Sequence, residues 1–293
     1  MGGAVNNVNE IRRHIKAVTQ TRQITNAMYL LSTSQMKRAI SKMTFNRTYL
    51  RRIRATVKDI LMHVDKSHVF LEDRGNKRQA FVVVAADKEM CGSYNNDILK
   101  AAIEKINQSE DPLIMTVGLC AQTGLEQAGY TVSKHWYGAS QNPFVHHARE
   151  ITESLVDLYL ENEIDEVYII FTRYYSQLSQ IIRCMRLLPL KLEDFSKIEL
   201  EFDKPRQIDF TPSFSEVFDT MVPEYMIGYI YAALNHASAC ENIARMNAMQ
   251  SATRNADEMI NKLNKDYNAA RQLAITNEIT EIASASLLSE NAI

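Results

Sequence analysis

The fold class predicted by the sequence is a mixed α/β chain: a long antiparallel coiled coil of the N- and C-terminal helices, with a central α/β domain at one end. Three observations predict it. Glycine (9) and proline (6) are scarce among 293 residues, about 5% together against roughly 12% in average usage, so long uninterrupted elements are expected. Apolar residues recur at heptad spacing near both ends. Between the ends, short β-rich runs alternate with helical stretches. With 46% apolar and 23% charged side chains, the chain is long enough for one or two real cores.

Residues 8–64 contain neither glycine nor proline. Ile11, Ile15 and Val18 lie on one stripe, Ile24, Met28 and Leu31 continue it after a small shift, and Leu50, Ile53, Val57, Ile60 and Val64 step by 3, 4, 3 and 4. One helix is expected there, a rod of roughly 85 Å at about 1.5 Å per residue. Residues 80–86 read as a strand buried on both faces and 96–106 as a helix. Residues 113–117 form a second strand, 120–127 a helix, 130–133 a short strand and 143–159 a helix. Residues 166–171 give a third buried strand and 180–190 a further one. Strands separated by helices imply a parallel or mixed sheet.

Arg74-Gly75 and Lys204-Pro205 read as exposed connections, and Glu199 and Glu201 as the outer face of a strand. Ser213 is a candidate N-cap for a short helix that Pro223 interrupts or kinks. Residues 224–286 form the second rod, with Gly228 its only glycine. There Ala256, Ile260, Leu263, Tyr267, Ala270 and Ala274 step by 4, 3, 4, 3 and 4. Since the intervening segment leaves one rod and returns to the other at the same end, the rods pair antiparallel. The expected domains are 1–66, 67–212 and 213–293.

The formal charge of −2 conceals an uneven distribution: +10 in residues 1–66, −9 in 67–223 and −3 in 224–293. Such a basic opening segment suits phosphate, an acidic protein surface or an anionic membrane, or is a solvated helix face. Nucleic acid is the alternative reading, but only Phe45 and Tyr49 interleave the basic residues, poor provision for stacking. The turn 87–93 follows the first strand, where a doubly wound fold binds nucleotides, yet it holds a single glycine, so no cofactor is expected. Cys91 has no neighbouring histidine to activate it, and the four cysteines at 91, 120, 184 and 240 make no CxxC pair, so neither a nucleophile nor a metal site is expected. His146 and His147, adjacent on a helix, point about 100° apart and are not expected to share an ion. No run of about 18 apolar residues and no charged-then-apolar leader is present, which suggests a cytosolic chain.

Near the N-terminus, Glu10-Ile11-Arg12, Ile15, Val18, Thr21, Ile24-Thr25, Ala27-Met28 and Met36-Lys37 stand at the spacing EIRxxIxxVxxTxxITxAM…MK. Near the C-terminus, Ala244-Arg245-Met246, Ala248-Met249, Ala252-Thr253, Asn255-Ala256, Tyr267-Asn268, Ala270-Arg271-Gln272, Ile275-Thr276, Glu278 and Thr280-Glu281-Ile282 form a second tract. In both, the sequence resembles the γ subunit of F-type ATP synthases, the central rotor stalk. The resemblance implies a coiled coil threading a hexamer of α and β subunits, with a Rossmann-like domain resting on the c-ring and the ε subunit. It implies no catalytic, cofactor or metal site on this chain and no nucleic-acid partner. Met28, Arg245, Arg271, Gln272, Thr276 and Glu278 match positions used for shaft–hexamer contact or coupling, and Ile279, Ile282 and Leu287 would turn in an apolar bearing.

By the same resemblance the basic N-terminal segment would face acidic loops of the β subunits. The chain would be peripheral, at the cytoplasmic face of a bacterial plasma membrane. The sequence departs from the family at Asp87-Lys88-Glu89-Met90-Cys91-Gly92-Ser93-Tyr94-Asn95, where the pattern is DRGLCGGLN, and at Asn26, where it has lysine. It lacks the cysteine-bearing insert of the chloroplast branch, so no redox switch is expected.

Overall fold

The structure is a computed structural model that describes residues 2–63, 67–75, 78–198 and 209–290. Val64, Glu199, Glu201 and Lys204-Pro205 lie outside the described residues, as does the side chain of Leu287. In chain order the elements are α1 (Gly2–His63), β1 (Arg78–Val84), α2 (Tyr94–Ile106), β2 (Asp111–Val117), α3 (Leu119–Gln127), β3 (Val132–Trp136), α4 (Val145–Leu160), β4 (Glu166–Tyr174), β5 (Gln180–Leu188) and α5 (Phe214–Glu290). Two compact units result: Met1–Leu31 with Met246–Ile293, and Ser32–Arg245.

In the first unit α1 and α5 pair antiparallel. Arg22 Nε donates to Asp257 Oδ1, and the hydroxyls of Thr25 and Thr253 lie 2.8 Å apart. The residue numbers of these pairs total 279 and 278, so in that register Gly2 falls opposite about residue 276 and roughly the last dozen residues of α5 extend past the start of α1. On α5, Ala256, Ile260, Leu263, Tyr267, Ala270 and Ala274 are buried or half-buried, and every residue between Ile260 and Ala274 outside this set is exposed, as the heptad spacing predicts. On α1, Ile11, Ile15 and Val18 are half-buried as expected, but Ile24 is 60% and Leu31 58% exposed. The seam instead passes through Arg22, Thr25 and Met28. Matched polar pairs occupy it there, so apolarity no longer marks the buried face.

The second unit holds a five-stranded sheet in the order β3-β2-β1-β4-β5, parallel except for β5, which runs antiparallel to β4. One face carries α2 and α3: Phe81, Val83 and Ile170 pack with Ile98, Ala102, Ala121 and Leu125. The other carries α4, the start of α5 and part of α1: Val82, Val84 and Ile169 share a core with Ile151, Leu155, Phe218, Met226, Val57 and Ile60. Thus the α1 residues read as a coiled-coil seam at 50–60 here close the core of the sheet. Gly228 lets α1 approach α5, since a Cβ there would lie 2.8 Å from Tyr49 Cε1, and Asn46 Nδ2 donates to the Gly228 carbonyl at 3.1 Å.

Two local expectations are corrected. β3 starts later than residue 130 because the Tyr130 N–H still closes the end of α3 on the Leu125 carbonyl at 3.0 Å, with Gly129 at φ +90°. Pro223 lies inside one continuous helix rather than ending a short one. Its missing hydrogen bond and ring clash cost roughly 3 kcal/mol, but Phe214, Phe218, Val222, Tyr225 and Met226 around it are all buried, each contributing about 1.5–3 kcal/mol. That burial outweighs the break.

The start of α5 carries the expected cap. Ser213 Oγ accepts from Glu216 N–H at 3.3 Å, the N-cap bond, and donates to the Glu216 carboxylate at 3.0 Å. Ser213→Ala is expected to destabilise the chain by about 1 kcal/mol, read as a lower urea midpoint at unchanged slope. An unchanged midpoint would show that core burial alone sets the helix start.

Candidate functional site

A doubly wound sheet opens its ligand crevice at the C-terminal ends of the strands where the strand order reverses, here between β1 and β4. In this chain α5 fills that place. Its His236 Nδ1 accepts from the Tyr174 N–H at 3.2 Å, its Cys240 Sγ reaches the Thr172 carbonyl at 3.6 Å, and its Ala237 carbonyl accepts from Tyr94 Oη at 3.2 Å. Arg245 completes the closure: Nη1 lies 2.7 Å from Glu241 Oε1, and Nη2 donates to the carbonyls of Lys88 and Glu89 at 3.1 and 3.4 Å.

The turn after β1 is held from its other side as well. Asp87 Oδ1 accepts from the N–H groups of Leu119 and Gly138, and Oδ2 from Ser140 Oγ at 2.8 Å. Asn95 accepts from Ala86 N–H and donates to Cys91 Sγ at 3.2 Å. Two of the glycines expected at this turn by family pattern are absent, and Met90 stands at φ +63°, a conformation that non-glycine residues adopt at a cost.

Burial dominates the electrostatics. Glu241 is pushed up to about 7 by burial, with Arg245 opposing, and burial raises the Tyr94 hydroxyl well above its ordinary range. Burial also raises the Cys91 thiol and lifts Cys240 to about 12. A buried, protonated Cys91 lacks the thiolate that nucleophilic chemistry requires.

Sequence-predicted contact residues fall in different places. Arg245 is buried in the second unit with its guanidinium engaged inside the chain. Met28 is half-buried on the first unit's seam. Arg271, Gln272, Thr276 and Glu278 are exposed on α5, where Thr276 Oγ1 donates only back to the Gln272 carbonyl at 2.9 Å. Around them Leu273, Ile275, Ile279 and Ile282 are 44–71% exposed, and on α1 Ile24, Leu30 and Leu31 are 58–60% exposed. Leu273 and Ile275 on α5 and Ile24, Leu30 and Leu31 on α1 thus face away from the seam, and Ile279 and Ile282 lie on the part of α5 past the start of α1.

Sequence reasoning missed His236, Cys240 and Glu241. A carboxylate four residues before an arginine in an otherwise apolar helical stretch was the available signal. His146 and His147 do not diverge as expected: their rings lie 4.0 Å apart, and His147 Nδ1 accepts from the Phe144 N–H at the start of α4. Among the described residues no three His, Cys, Asp or Glu side chains are placed to hold a metal ion, and no helix is long and apolar enough to cross a membrane. Several basic α1 side chains are used within the fold: Arg22 on Asp257, Lys42 on Asn142 and the Pro143 carbonyl, and Lys58 on the Ile198 carbonyl. A phosphate-facing array for nucleic acid is not supported.

The class these features define is a chain with paired terminal helices that expose apolar side chains and an α/β domain whose crevice is closed by its own chain. A family model described as ATP synthase matches residues 7–286. The ATP synthase gamma chain of Ruminiclostridium cellulolyticum is 39% identical over 286 residues, covering 94% of this chain and 97% of that one. The gamma chain of Caldanaerobacter subterraneus is 40% identical over 287 residues, covering 93% and 97%. The rotor of the Euglena gracilis mitochondrial ATP synthase shares the fold, with a TM-score of 0.68 at 14% identity, covering 92% of this chain and 99% of that one. This chain belongs to the gamma chain family of ATP synthase.

Proposed function

We propose that the chain transmits torque: ion flow turns the c-ring, the sheet domain rests on the c-ring and the ε subunit, and the paired helices turn inside the hexamer of α and β subunits. It holds no catalytic site of its own in this reading and acts as a peripheral component at the cytoplasmic face of a bacterial plasma membrane. The observation that carries the proposal is the outward apolar set on the paired helices, with Leu273, Ile275, Ile279 and Ile282 on the part of α5 that nears or passes the start of α1. Patches of that kind on a helix pair that has already buried its seam mark a partner surface.

An apolar surface slides without directional bonds. The exposed polar residues among it, Arg271, Gln272, Thr276 and Glu278, are the contacts through which rotation is felt, and Met28 contributes from α1. Exposed pairs of this kind contribute about 0–1 kcal/mol each, so they exchange during turning. Arg245 acts in coupling from within, by holding α5 to the turn after β1.

Removing residues from 271 onward is expected to reduce ATP-driven ion pumping in membrane vesicles at least tenfold, or to prevent co-purification with the α, β and ε subunits. A truncated chain that assembles and pumps at the full rate per ATP would remove the proposed role of this segment.

A further inference from the structure

Beside α1 in the second unit lies a cleft of about 980 Å³ that the proposed torque function does not use. Its walls carry Arg47, Arg51 and Arg54 of α1, Arg173 of β4 and Lys197, and among the described residues no aspartate or glutamate lines it. Arg47, Arg51 and Arg54 step by 4 and 3 along one helix face, a basic stripe roughly 10 Å long. At its inner end the cleft narrows to a small pocket shared by Arg54, Arg173 and His236 between Phe171 and Tyr229.

The inner end is lined by two arginines and a histidine, with no carboxylate among the described residues. Arg54 Nη2 donates to the Asp194 carbonyl at 3.5 Å, whereas its Nε is buried without a hydrogen-bond partner; the guanidinium lies 5.8 Å from the rings of Phe195 and Tyr229. A buried donor without an acceptor is unfavourable, and an anion's oxygen would satisfy it. His236 Nδ1 accepts from Tyr174 N–H, which leaves the proton of the neutral ring on Nε2 as a second donor. Arg173 is close enough to His236 to oppose its protonation, alongside burial. Side chains of α1, β4 and α5 that can donate thus line one small pocket, the Arg173 guanidinium lying 5.2 Å from the Tyr175 ring, and arginine forks match phosphoryl oxygens.

We infer that this cleft binds a small anion with at least two phosphoryl groups, one seated among Arg54, Arg173 and His236 and another along Arg47, Arg51 and Lys197. A single tetrahedral anion would use only the inner end. The outer stripe is what favours a polyphosphorylated ligand.

The test is calorimetric titration of the full-length chain with inorganic tripolyphosphate, orthophosphate and a hexaglutamate peptide, with the imidazole resonances of His236 followed by NMR. Tripolyphosphate is expected to bind at least tenfold more tightly than orthophosphate and to raise the His236 pKa. Arg173→Gln is expected to weaken both phosphates at least tenfold and Arg173→Lys less. The exposed pair Arg47→Gln with Arg51→Gln should weaken tripolyphosphate while sparing orthophosphate. Absence of saturable binding, binding indifferent to Arg173→Gln in a variant with wild-type circular dichroism, or a preference for hexaglutamate would each overturn the inference. The last would make the cleft a dock for an acidic polypeptide. None of these outcomes depends on pumping, so failure here and failure of the torque reading are separable.

Discussion

Arg245→Leu is expected to destabilise the full-length chain by about 3–5 kcal/mol at pH 8, because it removes the counter-charge and hydrogen bonds of the buried Glu241 carboxylate, and by about 1.4 kcal/mol less at pH 5, since a group titrating near 7 gains no more than that by ionising at pH 8. Glu241 is 3% and Arg245 8% exposed. The folded-state pKa of Glu241 is already raised by burial to about 7 from 4.5, with Arg245 and Lys88 pulling it down and Asp87 pushing it up. A carboxylate whose pKa is higher folded than unfolded favours the folded state fully below pH 4.5, and that contribution is lost as pH rises through about 7. Removing Arg245 moves the folded pKa higher still, so the penalty grows on the alkaline side. At pH 5 Glu241 is protonated in the variant, so the bonds of Arg245 to Glu241 and to the Lys88 and Glu89 carbonyls are lost without leaving a buried charge. The chain's single tryptophan, Trp136, is largely buried and reports urea unfolding at both pH values. A penalty independent of pH would show that Arg245 stabilises by packing alone. Pairing Arg245→Leu with Glu241→Leu should restore most of the loss, since an apolar pair of similar volume often replaces a buried ion pair at little cost.

Gly118→Ala is expected to cost more than about 3 kcal/mol. Gly118 stands at φ +92° at the end of β2, and a Cβ there would lie 2.3 Å from the Ala85 carbonyl oxygen and 2.9 Å from that of Ala86. Both obstacles are backbone, in the segment leaving β1, so the strand ends would have to part. Gly129 provides the control: it has φ +90° with nothing within 4 Å of a Cβ. Gly129→Ala should show only the conformational penalty, about 1 kcal/mol. Equal losses at the two sites would place the whole effect in φ and none in the clash.

The elements were legible wherever one kind of force acted along the chain. Residues 256–274 keep a heptad because a single partner helix covers them, and 80–84 read as a strand because both faces of β1 are buried. On α1 the pattern failed at Ile24 and Leu31. There the seam is filled by Arg22 and Thr25, whose partners Asp257 and Thr253 lie more than 200 residues away, and no local spacing shows a matched polar pair. The internal helix position of Pro223 was illegible for a related reason: its local cost is visible, but the burial of Phe218 and Val222 that offsets it is tertiary. Of the candidate contact residues, those on exposed α5 were readable through their family motif. The burial of Arg245 was not, because its partners are the carbonyls of a turn that any residue could supply.

The filling of the β1/β4 crevice by α5 also bears on how the chain is made. All five strands have been synthesised by Leu188, but the side chains that seal their ends run to Arg245, roughly 57 residues later, or about 3–11 s at usual rates of translation. For that interval the nascent sheet carries open strand ends and an uncovered apolar face awaiting Phe218, Met226 and Ile230. The sheet domain therefore reaches its finished form only when about the first two-fifths of the final helix has been translated. A chain halted before that point would leave this apolar face exposed, the condition that favours aggregation.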